Sequence, residues 1–553
     1  MTTIISMILD RNRWATLWLV ALSLLSLVSC ATPTEHVGPV EITVNASNEV
    51  YPFSPNIRGI AMNNWKWLWG GILEPDSPRT LAMIEAAMQL KPGVIRFAGG
   101  LWANRVGWDR SGLAPDDGAW TFTDPQSGEQ FQYGHAYSPE LIDSYAAFAA
   151  EIGAGTILKV NICDNNPAMW ADLIRYTNIE HDYDFEYWEL GNEIDLAECI
   201  SRDEYASRFV KYSTALKAVD PTIMVLGPSI AFQHRTDWYD ALPSQANGGP
   251  DALSFHWYQL TRWNNDPTTF SYQGGSVDAL FAHRLVVGES CQAGFGCPGR
   301  EIPFDHLEQL VNRRALPESM KQQVFDHARS KSPGQLMALT EFGVHSSRHK
   351  EPINGNHLAA VWLADVLGRW AYNGLDILTY FSFEDGSDGA WQARGSIGMD
   401  GETVLDVRPT FMTEWLYARH FGDTLVESNT NYYDQQVVAW ASTDSNDPGT
   451  LKLMLVSMAD RTETVNLHVS GFMPSSAEAW VMVSDNPFSQ ANPDSFTGNH
   501  TTVNGIAISD VDIANPSAFS ALLEAIQPVR VEASDRFEYT IDPYSVVAPT
   551  LRQ

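Results

Sequence analysis

Thr156–Glu193, TILKVNICDNNPAMWADLIRYTNIEHDYDFEYWELGNE, contains one complete strand–helix–strand unit. Thr156–Asn161 is an apolar, partly β-branched run, Met169–Tyr176 spaces its apolar residues at helical intervals, and Phe185–Leu190 is a second apolar run. A helix between two such runs is the connection that parallel strands need. The same alternation fills about residues 57 to 421. Strands are predicted at Ile57–Ala61, Gly93–Phe97, Thr156–Asn161, Phe185–Leu190, Thr222–Leu226, Ala252–Phe255, Leu336–Thr340 and Ile377–Phe381. Helices are predicted at Pro78–Gln89, Pro139–Ile152, Met169–Tyr176, Arg202–Val219, His357–Tyr372 and Pro409–His420. Eight βα units in series point to the α/β class and a closed (β/α)8 TIM barrel. An open doubly wound sheet would carry a Gly-rich phosphate turn after its first strand, and Met62-Asn63-Asn64-Trp65 stands there instead.

After Gly422 the helical period disappears and alternating runs follow: Val437–Ala441, Leu451–Val456, Thr464–Val469, Trp480–Val483 and Arg536–Asp542. With turn-rich pieces between them, they predict a C-terminal antiparallel β-sandwich, to which Val40–Val44 adds a strand. The expected domains are thus a barrel over 51–421 and a sandwich over 422–553, with 31–50 as tether and sandwich strand. Two connections are long, Leu101–Ser138 and Gln259–Phe304, and both follow strand C-termini, the face where barrels build their sites.

Residues 1–30 carry Arg11 and Arg13, an apolar run from Trp14 to Val28 and the ending Leu27-Val28-Ser29-Cys30. The run is shorter than the roughly 20 apolar residues of a spanning helix, and its flanks fit an export signal. The ending resembles a bacterial lipobox, which implies cleavage before Cys30, its acylation, and a cell-envelope location, the outer membrane in particular. The competing reading is an ordinary signal peptide. For Cys163, Cys199, Cys291 and Cys297, pairing (Cys291 with Cys297 as a loop staple) and free thiols both stand, and their spacing is not that of a zinc site. No metal or cofactor is expected. With 35 basic against 67 acidic residues, the formal charge of −32 disfavours binding to nucleic acid or anionic lipid, leaving a lipid anchor as the expected contact with a membrane.

Two glutamates carry the chemistry. Glu193 follows the fourth predicted strand in Trp188-Glu189-Leu190-Gly191-Asn192-Glu193, and Glu341 follows the seventh in Leu339-Thr340-Glu341-Phe342-Gly343. Cleaving a glycosidic bond needs this pair: a carboxylic acid to protonate the leaving oxygen and a carboxylate across the anomeric carbon. Structural rim carboxylates are the bland alternative. A lectin that keeps the barrel without turnover is the rival class, although a pure binder needs no acid and nucleophile together. An ester hydrolase would want a Gly-x-Ser-x-Gly elbow, and the sequence has none.

Those motifs, with KVNICDNNPAMWADLIRYTN beside WELGNE, resemble glycoside hydrolase clan A over about residues 50 to 550, most closely the arabinofuranosidase, xylosidase and heparanase branches, families 51, 39 and 79. The resemblance implies a retaining hydrolase with Glu193 as acid/base and Glu341 as nucleophile. It further implies that Arg96 bonds Glu341 and keeps it ionised, that Asn192 binds the sugar 2-hydroxyl, and that His256 and Tyr258 form a sixth-strand pair with Tyr258 facing the nucleophile. Pro543-Tyr544-Ser545-Val546-Val547 resembles the closing strand of a sandwich made from both chain ends. One departure stands out: the clan's eighth-strand tryptophan is absent, and Tyr380-Phe381-Ser382-Phe383 offers Phe381 in its place.

Trp65, Trp67 and Trp69 follow the first strand, and Trp102, Trp108 and Trp120 crowd the next rim loop. Indole faces suit sugar rings, so Trp65 and Trp102 are candidate substrate contacts; loop packing is the alternative. His345-Ser346-Ser347-Arg348-His349-Lys350 sets a basic cluster beyond Glu341, and Arg262 follows the sixth strand. In so acidic a chain, Arg348 and Lys350 suggest an anionic plant or algal polysaccharide, sulfated or uronate-bearing; a solvated loop paired with acids such as Glu351 is the other reading.

Overall fold

The computed structural model describes residues 38–62, 77–114, 117–123, 127–197, 199–233, 235–260, 280–281, 317–345, 355–385, 395–400, 403–431, 436–487, 500–507 and 516–553. Eight parallel strands close a barrel in chain order: Gly59–Ala61, Val94–Phe97, Gly155–Val160, Tyr187–Leu190, Met224–Ile230, Ala252–Leu260, Leu336–His345 and Ile377–Phe381. The eighth strand seals against the first through the register Thr379 to Gly59 and Phe381 to Ala61. A Cβ on Gly59 would lie 2.6 Å from the Leu378 carbonyl, so glycine is required at that seam.

All eight predicted strands are present, the eighth with its predicted ends and the others shifted at one end or both. Ile57 belongs to a short 3-10 turn, Pro55–Arg58, and not to the first strand. The fifth, sixth and seventh strands run four or five residues further than their apolar runs. Helices Pro139–Ile152, His357–Tyr372 and Pro409–His420 match their predicted limits. Ser77, Ser138 and Asn166 each cap a helix that begins with proline, each accepting a bond from a backbone N–H in the first turn. Proline there lacks only a donor that would be orphaned anyway. The helix predicted over Met169–Tyr176 starts two residues early for this reason, at Pro167, and continues as a wider coil over Arg175–Glu180, closed by His181 N donating to Tyr176 O.

Two expectations change. The connection Leu101–Ser138 is no plain loop: it folds a three-stranded sheet from Val106–Trp108, Asp117–Thr123 and Gln130–Tyr137. The region beyond Gly422 is not purely strand, since Pro516–Ala525 is a helix. Otherwise the described strands there, together with Val40–Pro52, form one hydrogen-bonded sheet of eleven strands. Its first strand, Val40–Pro52, crosses the boundary drawn at residue 51 and pairs antiparallel with Thr424–Thr430 but parallel with Glu463–Ser470. Alternate residues of these strands, including Val40, Ile42, Val44, Leu453, Leu467 and Val547, share one apolar core. Among the described residues no helix is long and apolar enough to cross a membrane.

Candidate active site

Strand alternation stacks the barrel interior in layers. Val94, Ile157, Tyr187, Leu226, Ala252, Ala338 and Ile377 fill the lower layer. Two residues on, with period two, Arg96, Lys159, Glu189, Ser254, Thr340 and Thr379 are all buried. Arg96 spans the barrel: Nε donates to Glu189 Oε2 at 2.9 Å, Nη1 to Glu341 Oε2 at 3.1 Å, and Nη2 to Asn192 Oδ1 at 2.9 Å. Lys159 Nζ meets Glu189 Oε2 at 2.7 Å and donates to Ser229 Oγ at 2.8 Å and to the Gly191 carbonyl at 3.0 Å. Two cations thus stand with two carboxylates, Glu189 and Glu341, where an unpaired charge would be severely penalised.

Glu341 reaches this layer through an irregularity. Phe255 pairs with Leu339 but His256 pairs with Glu341, so the seventh strand bulges at Thr340. The bulge lets neighbours face the same interior: Thr340 Oγ1 donates to Glu189 Oε1 at 2.6 Å while Glu341 turns into the mouth. Tyr258 OH donates to Glu341 Oε1 at 2.6 Å. Burial alone would raise the Glu341 carboxyl; the charges of Arg96 and Lys159 and the bond from the Tyr258 hydroxyl outweigh it and hold the pKa below the ordinary carboxylate value. Glu189 is likewise held well below it against its burial, by Lys159 and Arg96. Burial, reinforced by Arg96, brings Lys159 down to about 7 against the pull of Glu189.

Glu193 stands on a left-handed turn. Gly191 has φ 82°, and a Cβ there would meet Ile194 Cδ1 at 2.5 Å; Glu193 itself has φ 49°, a strained value for a non-glycine residue. The turn is held by Glu193 N donating to the Ser229 carbonyl at 2.6 Å, and by Asn104, which donates to the Asn192 carbonyl at 2.6 Å and accepts from its N–H at 3.0 Å. The Cys163–Cys199 disulfide ties the loop behind the third strand to the segment following Glu193. This is a pair that the cysteine spacing left open; Cys291 and Cys297 lie outside the described residues.

Arg96 Nη2 also lies 3.1 Å from His256 Nε2, and a guanidinium can only donate, so Nε2 accepts and Nδ1 carries the proton. Nδ1 then donates to Glu193 Oε1 at 3.1 Å. Glu193, His256 and Glu341 each offer an atom within 4.8 Å of the others, a spacing that a metal ion could use. The Nδ1 proton and the cations beside Glu341 oppose one there. Asn192 Nδ2 is buried without a hydrogen-bond partner, a donor aimed at no protein group.

Glu193, Glu341, Arg96, Asn192, His256 and Tyr258 are therefore brought together, as the sequence suggested. Phe381 ends the eighth strand and is buried against Gly99, where an added Cβ would lie 2.8 Å from its ring. Trp102 is exposed on the rim, whereas Trp108 and Trp120 pin the small sheet: Trp108 Nε1 donates to Asp172 and Trp120 Nε1 to the His135 carbonyl. Trp65, Arg348, Lys350 and Cys30 lie outside the described residues. Sequence reasoning missed Glu189, Lys159, Asn104 and Ser229. Counting by two from Ile157 and Tyr187 would have found the first two.

No family model matches the sequence. It is similar to the probable α-L-arabinofuranosidase C of Aspergillus clavatus, 28% identical over 210 residues, 34% of this chain and 40% of that protein. Similarity to the α-L-arabinofuranosidase C of Emericella nidulans is 27% over the same length. The chain thus spans about 40% of the length of the curated relatives it matches. Among solved structures, an α-L-arabinofuranosidase from Thermotoga maritima in complex with arabinose superposes with a TM-score of 0.64 at 16% identity, over 93% of this chain and 100% of that one. A family 44 glycoside hydrolase, the Paenibacillus polymyxa xyloglucanase, gives 0.58 at 14% over 94% and 100%. At these identities the likeness is one of architecture: this chain has the barrel-and-sheet fold of those glycoside hydrolase structures.

Proposed function

We propose that this chain is a retaining glycoside hydrolase acting on a plant or algal polysaccharide or its oligosaccharides. The observation that carries the reading is that one oxygen of Glu193 and one of Glu341 lie within 4.8 Å of each other, with only Glu341 bonded to Arg96 and Tyr258. Carboxyls about 5–5.5 Å apart suit double displacement, whereas inversion needs about 6.5–9.5 Å to admit a water between them. Glu341, ionised, attacks the anomeric carbon as Glu193 gives its proton to the leaving oxygen. Glu193 then takes a proton from water, which displaces Glu341 and restores the original anomeric configuration. The Asn192 Nδ2 donor is placed to receive a sugar hydroxyl, and the names of the similar Aspergillus and Emericella proteins make an arabinofuranosyl group the first sugar to try.

Digestion of a panel of neutral and anionic plant and algal polysaccharides, with products sized and the first-formed anomer read by NMR, tests the reading. Glu341→Gln is expected to lower turnover by at least about a thousandfold while glycan binding persists. An inverted first product refutes double displacement, and a wild-type protein that binds glycans without turnover is a lectin instead. An anionic substrate rests on Arg348 and Lys350 in sequence; Arg348→Ala with Lys350→Ala should then raise KM for charged glycans alone, and an equal effect on neutral ones sinks it. Lipid anchoring outside the cytoplasm, in the bacterial outer membrane, rests on the Cys30 motif and agrees with the Cys163–Cys199 disulfide. Cys30→Ser should move the protein from the membrane to the soluble fraction, and unchanged partition rules the anchor out.

A further inference from the structure

Two non-glycine residues at the barrel mouth hold left-handed backbones and are bonded to one another. Glu193 has φ 49° and Ser229 φ 53°, and the Glu193 N–H donates to the Ser229 carbonyl at 2.6 Å. Such backbones persist only where their surroundings over-determine them. On the rim Asn104 does so, gripping both sides of the Asn192 residue. Inside the barrel Lys159 does so: Nζ donates to Ser229 Oγ at 2.8 Å and to the Gly191 carbonyl at 3.0 Å. One fully buried ammonium thus ties the end of the fourth strand, where the turn begins, to the fifth-strand residue that receives the Glu193 amide.

Charge balance alone does not account for this lysine. Arg96 already meets Glu189 Oε2 at 2.9 Å, and Lys159 places a second cation on the same oxygen at 2.7 Å. An ammonium has three protons to donate, and the other two go to neutral groups that mount the turn. Those bonds also carry a direction. Ser229 Oγ accepts from Nζ, so its own hydrogen is left for His256 Nε2 at 3.3 Å, and His256 Nδ1 donates to Glu193 Oε1 at 3.1 Å. An oriented chain therefore runs from Lys159 through Ser229 and His256 to Glu193. With Oε1 taken as an acceptor, the proton of the acid belongs on Oε2. We propose that Lys159 is a positioning residue for the acid/base, fixing both the backbone turn that bears Glu193 and the imidazole that orients its carboxyl. The inference rests on Glu193 being the acid, and Lys159 acts on it through Gly191, Ser229 and His256.

Dependence on the leaving group reads this role, because a basic phenolate needs a proton to depart and an acidic one hardly does. Full-length Lys159→Met protein is assayed at about pH 6, below the value of about 7 to which Lys159 is brought down. Its kcat/KM should fall by about tenfold or more on phenyl α-L-arabinofuranoside and by about twofold or less on the 2,4-dinitrophenyl glycoside. If the polysaccharide panel releases another sugar, the same two aglycones are used on that sugar. Lys159→Met with Glu189→Gln leaves one buried cation, Arg96, against one carboxylate, Glu341, and should show the same selectivity should the single variant fail to fold. Ser229→Ala, which deletes the Oγ link and alters no charge, should show it to a smaller degree. Hydrogen exchange needs no substrate: in each variant the Asn192 and Glu193 amides should exchange faster, while those of the sheet domain keep their rates. An equal loss on both aglycones, as a merely structural role would give, overturns the proposal, and so does unchanged exchange at the turn. Glu193→Ala separates the levels. If it too lowers both aglycones equally, the acid assignment fails; if it is selective and Lys159→Met is not, this inference fails alone.

Discussion

In the lower storey of the barrel, Val94, Ile157, Tyr187, Ala338 and Ile377 meet in apolar packing, whereas two residues further along the same strands Arg96, Lys159, Glu189, Thr340 and Thr379 form a buried polar network. The pleat is common to both; the side-chain chemistry differs. Burying an aliphatic or aromatic group below contributes about 1.5–3 kcal/mol. Removing four charges from water above costs as much as, or more than, their mutual attraction returns. The upper storey is therefore explained by what it does for Glu341 and for the turn bearing Glu193, and the lower by stability.

Glu189→Leu is the strongest way to break this comparison. It removes one of two carboxylates that balance Arg96 and Lys159, leaving a buried cation uncompensated. Stability should fall by about 3–5 kcal/mol in denaturant titrations, and turnover with it, since Arg96 loses one of its anchors. An unchanged unfolding midpoint would show that the network is looser than its geometry.

Tyr258→Phe sharpens the comparison more gently, by deleting the single 2.6 Å bond to Glu341 Oε1. A hydrogen bond to a charged group contributes about 1.5–3 kcal/mol, so kcat/KM should drop by about tenfold or more. That bond favours the ionised carboxyl, and without it the depressed pKa of Glu341 rises. The acid limb of the pH–rate profile should therefore move to higher pH. In stability the sign agrees. A depressed carboxyl stabilises the fold above its unfolded pKa, and that contribution is lost as pH falls through the folded value; the variant retains less of it. A limb that stays in place or moves to lower pH contradicts the assignment of Glu341 as the ionised partner.

The two storeys were unequally legible in the sequence. Apolar runs such as Thr156–Val160 announced the strands, and two glutamates just past apolar runs announced the candidate pair. Lys159 and Glu189 escaped because a charge inside an apolar run reads as noise until period two is counted from Ile157 and Tyr187. The bulge at Thr340 was invisible, since it is a property of register between two distant strands. The small sheet was readable after all: Gln130-Phe131-Gln132-Tyr133 alternates, but its length within a polar connection hid it. The helix Pro516–Ala525 also began as its fellows do, with Asn-Pro, and was masked by the strands around it.

Ile157→Val is the smallest change and the test of whether the storeys are separable. Ile157 is fully buried in the lower layer, two residues before Lys159 on the same strand. Deleting one methyl group should cost about 0.5–1.5 kcal/mol through lost contact and a small cavity, with no charge involved. The loss should then be the same at every pH where the protein is folded, and the pH–rate profile should keep its acid limb. If that limb moves, the lower layer is setting the position of Lys159 closely enough to alter the field at Glu341, and the barrel interior is one cooperative unit in which packing below tunes chemistry above.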